Sequence, residues 1–245
     1  MTLLTKLGAA NKATVYTDPV TLVGHKYFAW GENSRGQLGN GATTDTSSPV
    51  QVGSDADWAT ICRSHAYNSF FIKSGGTLWA TGDNAGGQLG VGNTTARSSP
   101  QQIGSETDWT RLPNSISMYR QVAAIRAGKL FTWGKNSSGF CGLGNTTAYS
   151  SPVQVGSRED WGSLACGFRY VQAITQGGEL FTWGGGGEGV QGHGNETAYS
   201  SPVQVGSLTD WSKAHMGAAH VTHLKTDGTL WSIGHNNHGE LELGD

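Results

Sequence analysis

Phe131-Thr132-Trp133-Gly134-Lys135-Asn136, continuing through Gly139, Gly142 and Gly144 to Ser151-Pro152-Val153-Gln154-Val155-Gly156, is one copy of a cassette that the chain uses repeatedly. The glycine that follows its strand-like run recurs at Gly31, Gly82, Gly134, Gly184 and Gly234, in steps of 51, 52, 50 and 50. A Ser-Pro pair recurs at Pro49, Pro100, Pro152 and Pro202, and an Asp-Trp pair at Trp58, Trp109, Trp161 and Trp211. Both keep the same steps. Three markers on one period make this a repeat protein, whose units bury their apolar faces against one another.

Within one period, Asp57–Cys62 alternates, Asn68–Lys73 is an apolar run, and Gly75-Gly76 supplies a tight hairpin turn. Thr77–Thr81 returns to Gly82, and a long polar loop rich in glycine leads to Pro100–Ile103, with proline expected at the first residue of a fourth strand. No segment carries a helical period. Four short strands per period predict an all-β fold, a β-propeller of about five four-stranded blades.

Trp30-Gly31-Glu32-Asn33-Ser34-Arg35-Gly36-Gln37-Leu38-Gly39 and Gly82-Asp83-Asn84-Ala85-Gly86-Gly87-Gln88-Leu89-Gly90 resemble the repeat of the regulator of chromosome condensation family, over about residues 14–245. The resemblance implies a propeller, usually of seven blades, for which this sequence is too short. It also implies guanine-nucleotide exchange on a small GTPase as one possible activity. No residue of that activity can be matched here, and the basic extension that would suit chromatin docking is missing.

The marker count suggests how five blades would close. Asp18-Pro19-Val20-Thr21-Leu22-Val23-Gly24 reads like Ser48-Pro49-Val50-Gln51-Val52-Gly53, while the last copy lacks its own Pro strand. Residues 14–24 are therefore expected to pair with the 207–245 blade and shut the ring, removing two open sheet edges. The alternative is an open arc completed by oligomerisation. Pro19 to Pro49 spans only 30 residues, so the first blade should lack its Asp-Trp strand. Residues 1–13 are read as a docking arm and 14–245 as a single domain.

With 16 basic and 18 acidic residues and a formal net charge of -2, the chain lacks the footprint of a nucleic-acid binder. No run is long enough to insert into a membrane, and Met1–Ala13 is too short and polar for a signal peptide. Cys62, Cys141 and Cys166 share no offset or C-x-x-C spacing, so they read as free buried thiols. The tryptophans, held on the same period, read as core.

Candidate chemistry is thin. Gly184-Gly185-Gly186-Gly187-Glu188-Gly189 satisfies G-x-G-x-x-G but is a copy of the cassette loop. His215, His220, His223, His235 and His238 cluster in the last repeat. His220 and His223 should point to opposite faces of a strand, and His235 and His238 have no evident carboxylate, so no metal and no cofactor are assigned. No nucleophile elbow or zincin motif occurs, and the Asp of each Asp-Trp pair recurs too often to be one active site; no catalytic residue is assigned. The sequons at Asn93, Asn145 and Asn195 share an offset that suits turn chemistry better than glycosylation, and a further one stands at Asn136.

One position is singled out for partner binding. The residue before Ser-Ser-Pro is Thr46, Arg97, Tyr149 and Tyr199, and Arg97, Tyr149 and Tyr199 form a candidate contact row. The reading is a non-enzymatic structural or protein-recognition propeller in a larger assembly such as a phage virion appendage. A cytosolic adaptor or exchange regulator and a glycan-binding propeller are the alternatives. The expected partners are a protein or a particle surface, with homo-oligomerisation possible; the location is the particle, otherwise the cytoplasm.

Overall fold

The computed structural model describes residues 24–64, 67–113, 120–217 and 219–241. Its strands form five antiparallel sheets in chain order. The first holds β1 (Phe28–Gly31) and β2 (Thr46–Gln51). Three complete sheets follow, each ordered as in sequence. They are β3 (Trp58–Ser64), β4 (Asn68–Lys73), β5 (Leu78–Gly82) and β6 (Arg97–Gln102); β7 (Trp109–Arg111), β8 (Gln121–Arg126), β9 (Lys129–Gly134) and β10 (Tyr149–Gln154); and β11 (Trp161–Cys166), β12 (Tyr170–Thr175), β13 (Leu180–Gly184) and β14 (Tyr199–Gln204). The last holds β15 (Trp211–Met216), β16 (His220–Lys225) and β17 (Leu230–Gly234). The fold is an all-β propeller. Among the described residues three blades have four strands, the first has two and the last has three, in keeping with about five blades of which the first is thin. The expected docking arm (1–13) and all but Gly24 of the ring-closing segment lie outside the described residues.

The marker glycine has a steric cause. Gly82, Gly134, Gly184 and Gly234 all lie between φ 92 and 112, and a Cβ there would fall on the carbonyl oxygen of Tyr67, Arg120, Arg169 or Ala219, the residue just before the adjacent central strand. The Pro strand differs from expectation. Pro100 is the fourth residue of β6, not the first. The pairing steps from Gly82↔Arg97 to Ala80↔Gln101, four residues against two, and the proline sits in that bulge, where no ladder donor is required. The same step recurs at Tyr149/Val153 and across Gly184↔Tyr199.

The core lies between sheets. Trp58, Trp109, Trp133, Trp161, Trp183 and Trp211 are buried, as the repeat implied. Trp30 and Trp231, also expected in the core, are instead 57% and 53% exposed, because they sit on the outermost sheets. Cys62, Cys141 and Cys166 are free and buried.

Candidate protein-contact face

The loops after β5 and β9 are each held by one asparagine. Asn84 donates to the carbonyls of Asn93 and Thr95 at 2.9 and 3.0 Å and accepts from the Leu89 amide at 2.9 Å. Asn136 repeats this with Asn145, Thr147 and the Cys141 amide. Asn33 does the same after β1, reaching Ala42, Thr44 and the Leu38 amide. A fully buried amide that meets all its needs inside the loop gives a rigid ring of backbone. Sequence reading noticed the glycines of this loop and missed the asparagine, although its period was visible. In the loop after β13, Gly186 takes its place because a Cβ there would meet the Glu196 and Thr197 carbonyls. Gln191 ties that loop instead, to the carbonyls of Gly184 and Gly185 at 2.7 and 2.8 Å. Its G-x-G-x-x-G run leads into a three-residue 3-10 turn, Gly187–Gly189, and not into the helix that a dinucleotide site requires.

These loops are not free polar ornaments of the rim. The amides of Gly41, Gly92 and Gly144 bond to the carbonyls of Ser98, Ser150 and Ser200 in the next blade's Pro strand, at 2.8, 2.8 and 2.7 Å. Trp133 and Trp183 send their indole N–H back to the preceding loop, to Gln88 and Phe140, at 2.8 and 3.0 Å. The three sequons of shared offset behave as turn residues: Asn93, Asn145 and Asn195 accept the amides of Thr95, Thr147 and Thr197.

The proposed row falls at one structural position. Thr46, Arg97, Tyr149 and Tyr199 each open a Pro strand and pair with Gly31, Gly82, Gly134 and Gly184. The two tyrosines are half-buried against the core, not fully exposed. Their hydroxyls accept from Asn145 at 3.2 Å and Asn195 at 3.3 Å. Arg97 is half-buried too; its guanidinium donates to the Ala96 carbonyl at 3.2 Å, and among the described residues no carboxylate pairs with it. It edges a groove between the second and third sheets with Gln101, Gln102, Glu106, Arg126 and Phe131. A matching groove between the first two sheets is lined by Asp55, Trp79 and Pro100.

A cation caps the aromatic pair beside each groove. Lys73 lies 4.9 and 4.6 Å from the rings of Trp58 and Trp79 and pairs with Asp55 and Asp57 at 2.8 and 3.2 Å. Arg126 serves Trp109 and Phe131, with Glu106 and Asp108. In the next blade Thr175 stands where the cation should be. Arg158, from the loop, covers Trp161 and Phe181 and pairs with Asp160 and Glu179, so the charges trade places and the cap is kept. Its hydrogen bond holds the Asp160 carboxyl below the usual range. Each Asp of the Asp-Trp pair is thereby bound in a local ion pair, Asp210 with Lys225 included.

The histidines divide. His223 is buried against Trp211, and burial pulls its pKa down to about 4. Gln172 donates to the Val190 carbonyl, so its oxygen accepts from His223 Nε2 at 2.7 Å and the imidazole is neutral. His235, expected to lack a carboxylate, has Glu240 at 3.1 Å. Among the described residues no group of three His, Cys, Asp or Glu could hold a metal, and no helix is long and apolar enough to cross a membrane.

Four stretches, 25–66, 75–114, 127–174 and 177–224, match the family model of the regulator of chromosome condensation (RCC1) repeat. The chain is 35% identical over 136 residues to the X-linked retinitis pigmentosa GTPase regulator of Canis lupus familiaris, covering 54% of this chain and 13% of that protein. It is 33% identical over 144 residues to the probable E3 ubiquitin-protein ligase HERC6 of Homo sapiens, covering 56% and 14%. Among solved structures, yeast RCC1 (Prp20) bound to Kap60 superposes with a TM-score of 0.77 at 17% identity, over 100% of this chain and 61% of that one.

Proposed function

The chain belongs to the RCC1 repeat family, and on that premise we propose that it is a non-enzymatic propeller that recognises another protein. The observation that carries this is the row itself. Arg97, Tyr149 and Tyr199 occupy one register position on three successive blades, on strands locked by bulge and loop. Rigid aromatic and arginine side chains set at fixed spacing bind at low entropic cost. Against catalysis, the recurring acids of the Asp-Trp pairs are tied in ion pairs.

Regulation of a small GTPase is the second reading, favoured by the name of the retinitis pigmentosa relative. Because the chain spans only 13% and 14% of the two curated relatives, neither their regulatory nor their ligase activity transfers with the repeat. A particle component remains the reading that composition suggests, and no relative named above adds to it; the same holds for glycan binding. The test is binding of purified small GTPases loaded with fluorescent nucleotide, comparing the wild type with the Arg97→Ala, Tyr149→Ala, Tyr199→Ala triple variant. A tenfold or greater loss of affinity in a folded variant supports the row, and equal affinity overturns it. Accelerated nucleotide release would favour exchange over plain recognition.

A further inference from the structure

The four Pro strands can be set against one another, and β6 departs from the rest at two positions. Thr46, Tyr149 and Tyr199 stand where Arg97 does, and Val50, Val153 and Val203 stand where Gln101 does. Both departures line the groove between the second and third sheets, whose volume of about 570 Å³ is within the range of ligand sites.

Arginine in the place of tyrosine releases a second group. In the next two blades the amide nitrogens of Asn145 and Asn195 donate to the Tyr149 and Tyr199 hydroxyls, at 3.2 and 3.3 Å. Asn93 keeps their turn role by accepting the Thr95 amide, but the residue four places on is Arg97, which offers no hydroxyl. Among the described residues the Asn93 Nδ2 has no acceptor, and Asn93 lines the same groove. Gln102 is released too. Gln51 and Gln154 at its position donate to the Asp55 and Gly156 carbonyls, at 3.4 and 3.1 Å, and among the described residues Gln102 makes no such bond. Arg97, Asn93, Gln101 and Gln102 therefore turn their hydrogen-bond donors on one groove.

Charge decides which acceptor they suit. Arg126 lies over Phe131 in the wall of the groove, but Glu106 and Asp108 already share it, at 2.9 and 3.4 Å. Arg97 is thus the cation of this groove that has no carboxylate of its own among the described residues. A guanidinium takes a carboxylate through two parallel N–H···O bonds, and neighbouring amides can satisfy the remaining lone pairs. One unpaired guanidinium offsets a monoanion. A phosphate dianion would add a second negative charge beside Glu106 and Asp108, which already outnumber Arg126. The groove between the first two sheets is a built-in contrast, because Asp55 is the charged residue of its lining and no cation joins it there.

We infer that the groove between the second and third sheets seats an acidic side chain, Asp or Glu, of a partner protein, clamped by Arg97 with Asn93 and Gln102. This rests on the reading of Arg97, Tyr149 and Tyr199 as a recognition row, and it narrows the partner to one that presents a carboxylate at the Arg97 end.

NMR titration of the isotope-labelled 245-residue chain tests it. The probes are acetyl-Gly-Gly-Glu-Gly-Gly-amide and the same peptide with Gln or with phosphoserine in the centre. The signals followed are the Arg97 Nε–H and the Asn93 and Gln102 side-chain amides. Arg35, exposed and also without a carboxylate partner among the described residues, reports loose attraction. Saturable shifts at Arg97 are expected, with the Glu peptide binding about fivefold or more tighter than the Gln peptide. Arg97→Tyr, which installs the residue of the next two blades, should keep the fold and abolish that preference. Should it fail to fold, Arg97→Gln gives the same readout.

The Tyr149→Ala, Tyr199→Ala double variant separates the clamp from the row. A glutamate preference retained in it supports the clamp independently of the tyrosines. If instead Arg97→Tyr binds a GTPase as tightly as the wild type while the double variant loses it, the clamp is overturned and the row stands. No saturable shift, shifts shared with Arg35, equal affinity for the Glu and Gln peptides, or tighter binding of the phosphoserine peptide also overturns the clamp.

Discussion

The three middle blades and the two end blades are written in nearly the same residues, yet those residues do different things. Trp133 and Trp183 are buried and bonded to the loop behind them, whereas Trp30 at the same position is 57% exposed. Leu130 and Leu180 are buried where Leu230 is 69% exposed. Gly134 sits under the Arg120 carbonyl, while nothing lies within 4 Å of a Cβ on Gly31 among the described residues. In a repeat protein a side chain's worth is set by its neighbouring repeat, because nearest-neighbour interfaces supply most of the stability. Among the described residues, the end blades show what a repeat is with a neighbour on one side only.

That contrast can be broken by paired substitutions. Trp133→Ala should cost about 3–5 kcal/mol in chemical denaturation, from lost packing and the orphaned Gln88 carbonyl. Trp30→Ala in the dilute monomer should cost less than about 1 kcal/mol. Equal costs would mean that Trp30 is packed after all. Next in size, Gly134→Ala should cost about 2–4 kcal/mol and Gly31→Ala only about 1 kcal/mol, because both pay the left-handed strain and only the first meets a carbonyl.

Acid should act on one residue between the last two blades. The folded protein holds His223 neutral down to about 4, against 6.5 for the free side chain. As pH falls through 6.5 the unfolded chain takes up a proton that the folded chain refuses. The contribution is therefore intact above 6.5 and lost progressively towards pH 4, by up to about 3 kcal/mol. His223→Gln keeps an amide donor for Gln172 and should flatten that part of the stability curve; a slope unchanged from wild type would locate the effect elsewhere. The smallest effect is expected at the exposed ion pairs. Lys129→Ala, which frees Glu159, should change stability by less than about 1 kcal/mol and vanish in high salt.

Much of the blade was legible because its causes lie within one period. The hairpin glycines, the sequon turns at Asn93, Asn145 and Asn195, and the buried cysteines all follow from local chemistry. The Pro strand was found but misplaced by three residues, since a bulge leaves no mark on alternation. What stayed hidden depends on contacts across repeats. Nothing within a repeat says that the loop glycines face serines of the next blade, that Gln172 reaches His223 51 positions on, or that Arg158 replaces a missing cation across the sheet. The candidate row was legible as a position. That its tyrosines are anchored by Asn145 and Asn195 was not, because a shared offset does not say which of the recurring side chains meet.

Amide hydrogen exchange in dilute solution tests most directly the central claim, that a repeat's stability is set by the repeats packed against it. In dilute solution β8 and β12 should exchange through global unfolding while β1, β2 and β17 open at much lower free energy. End strands as well protected as the middle ones would contradict it.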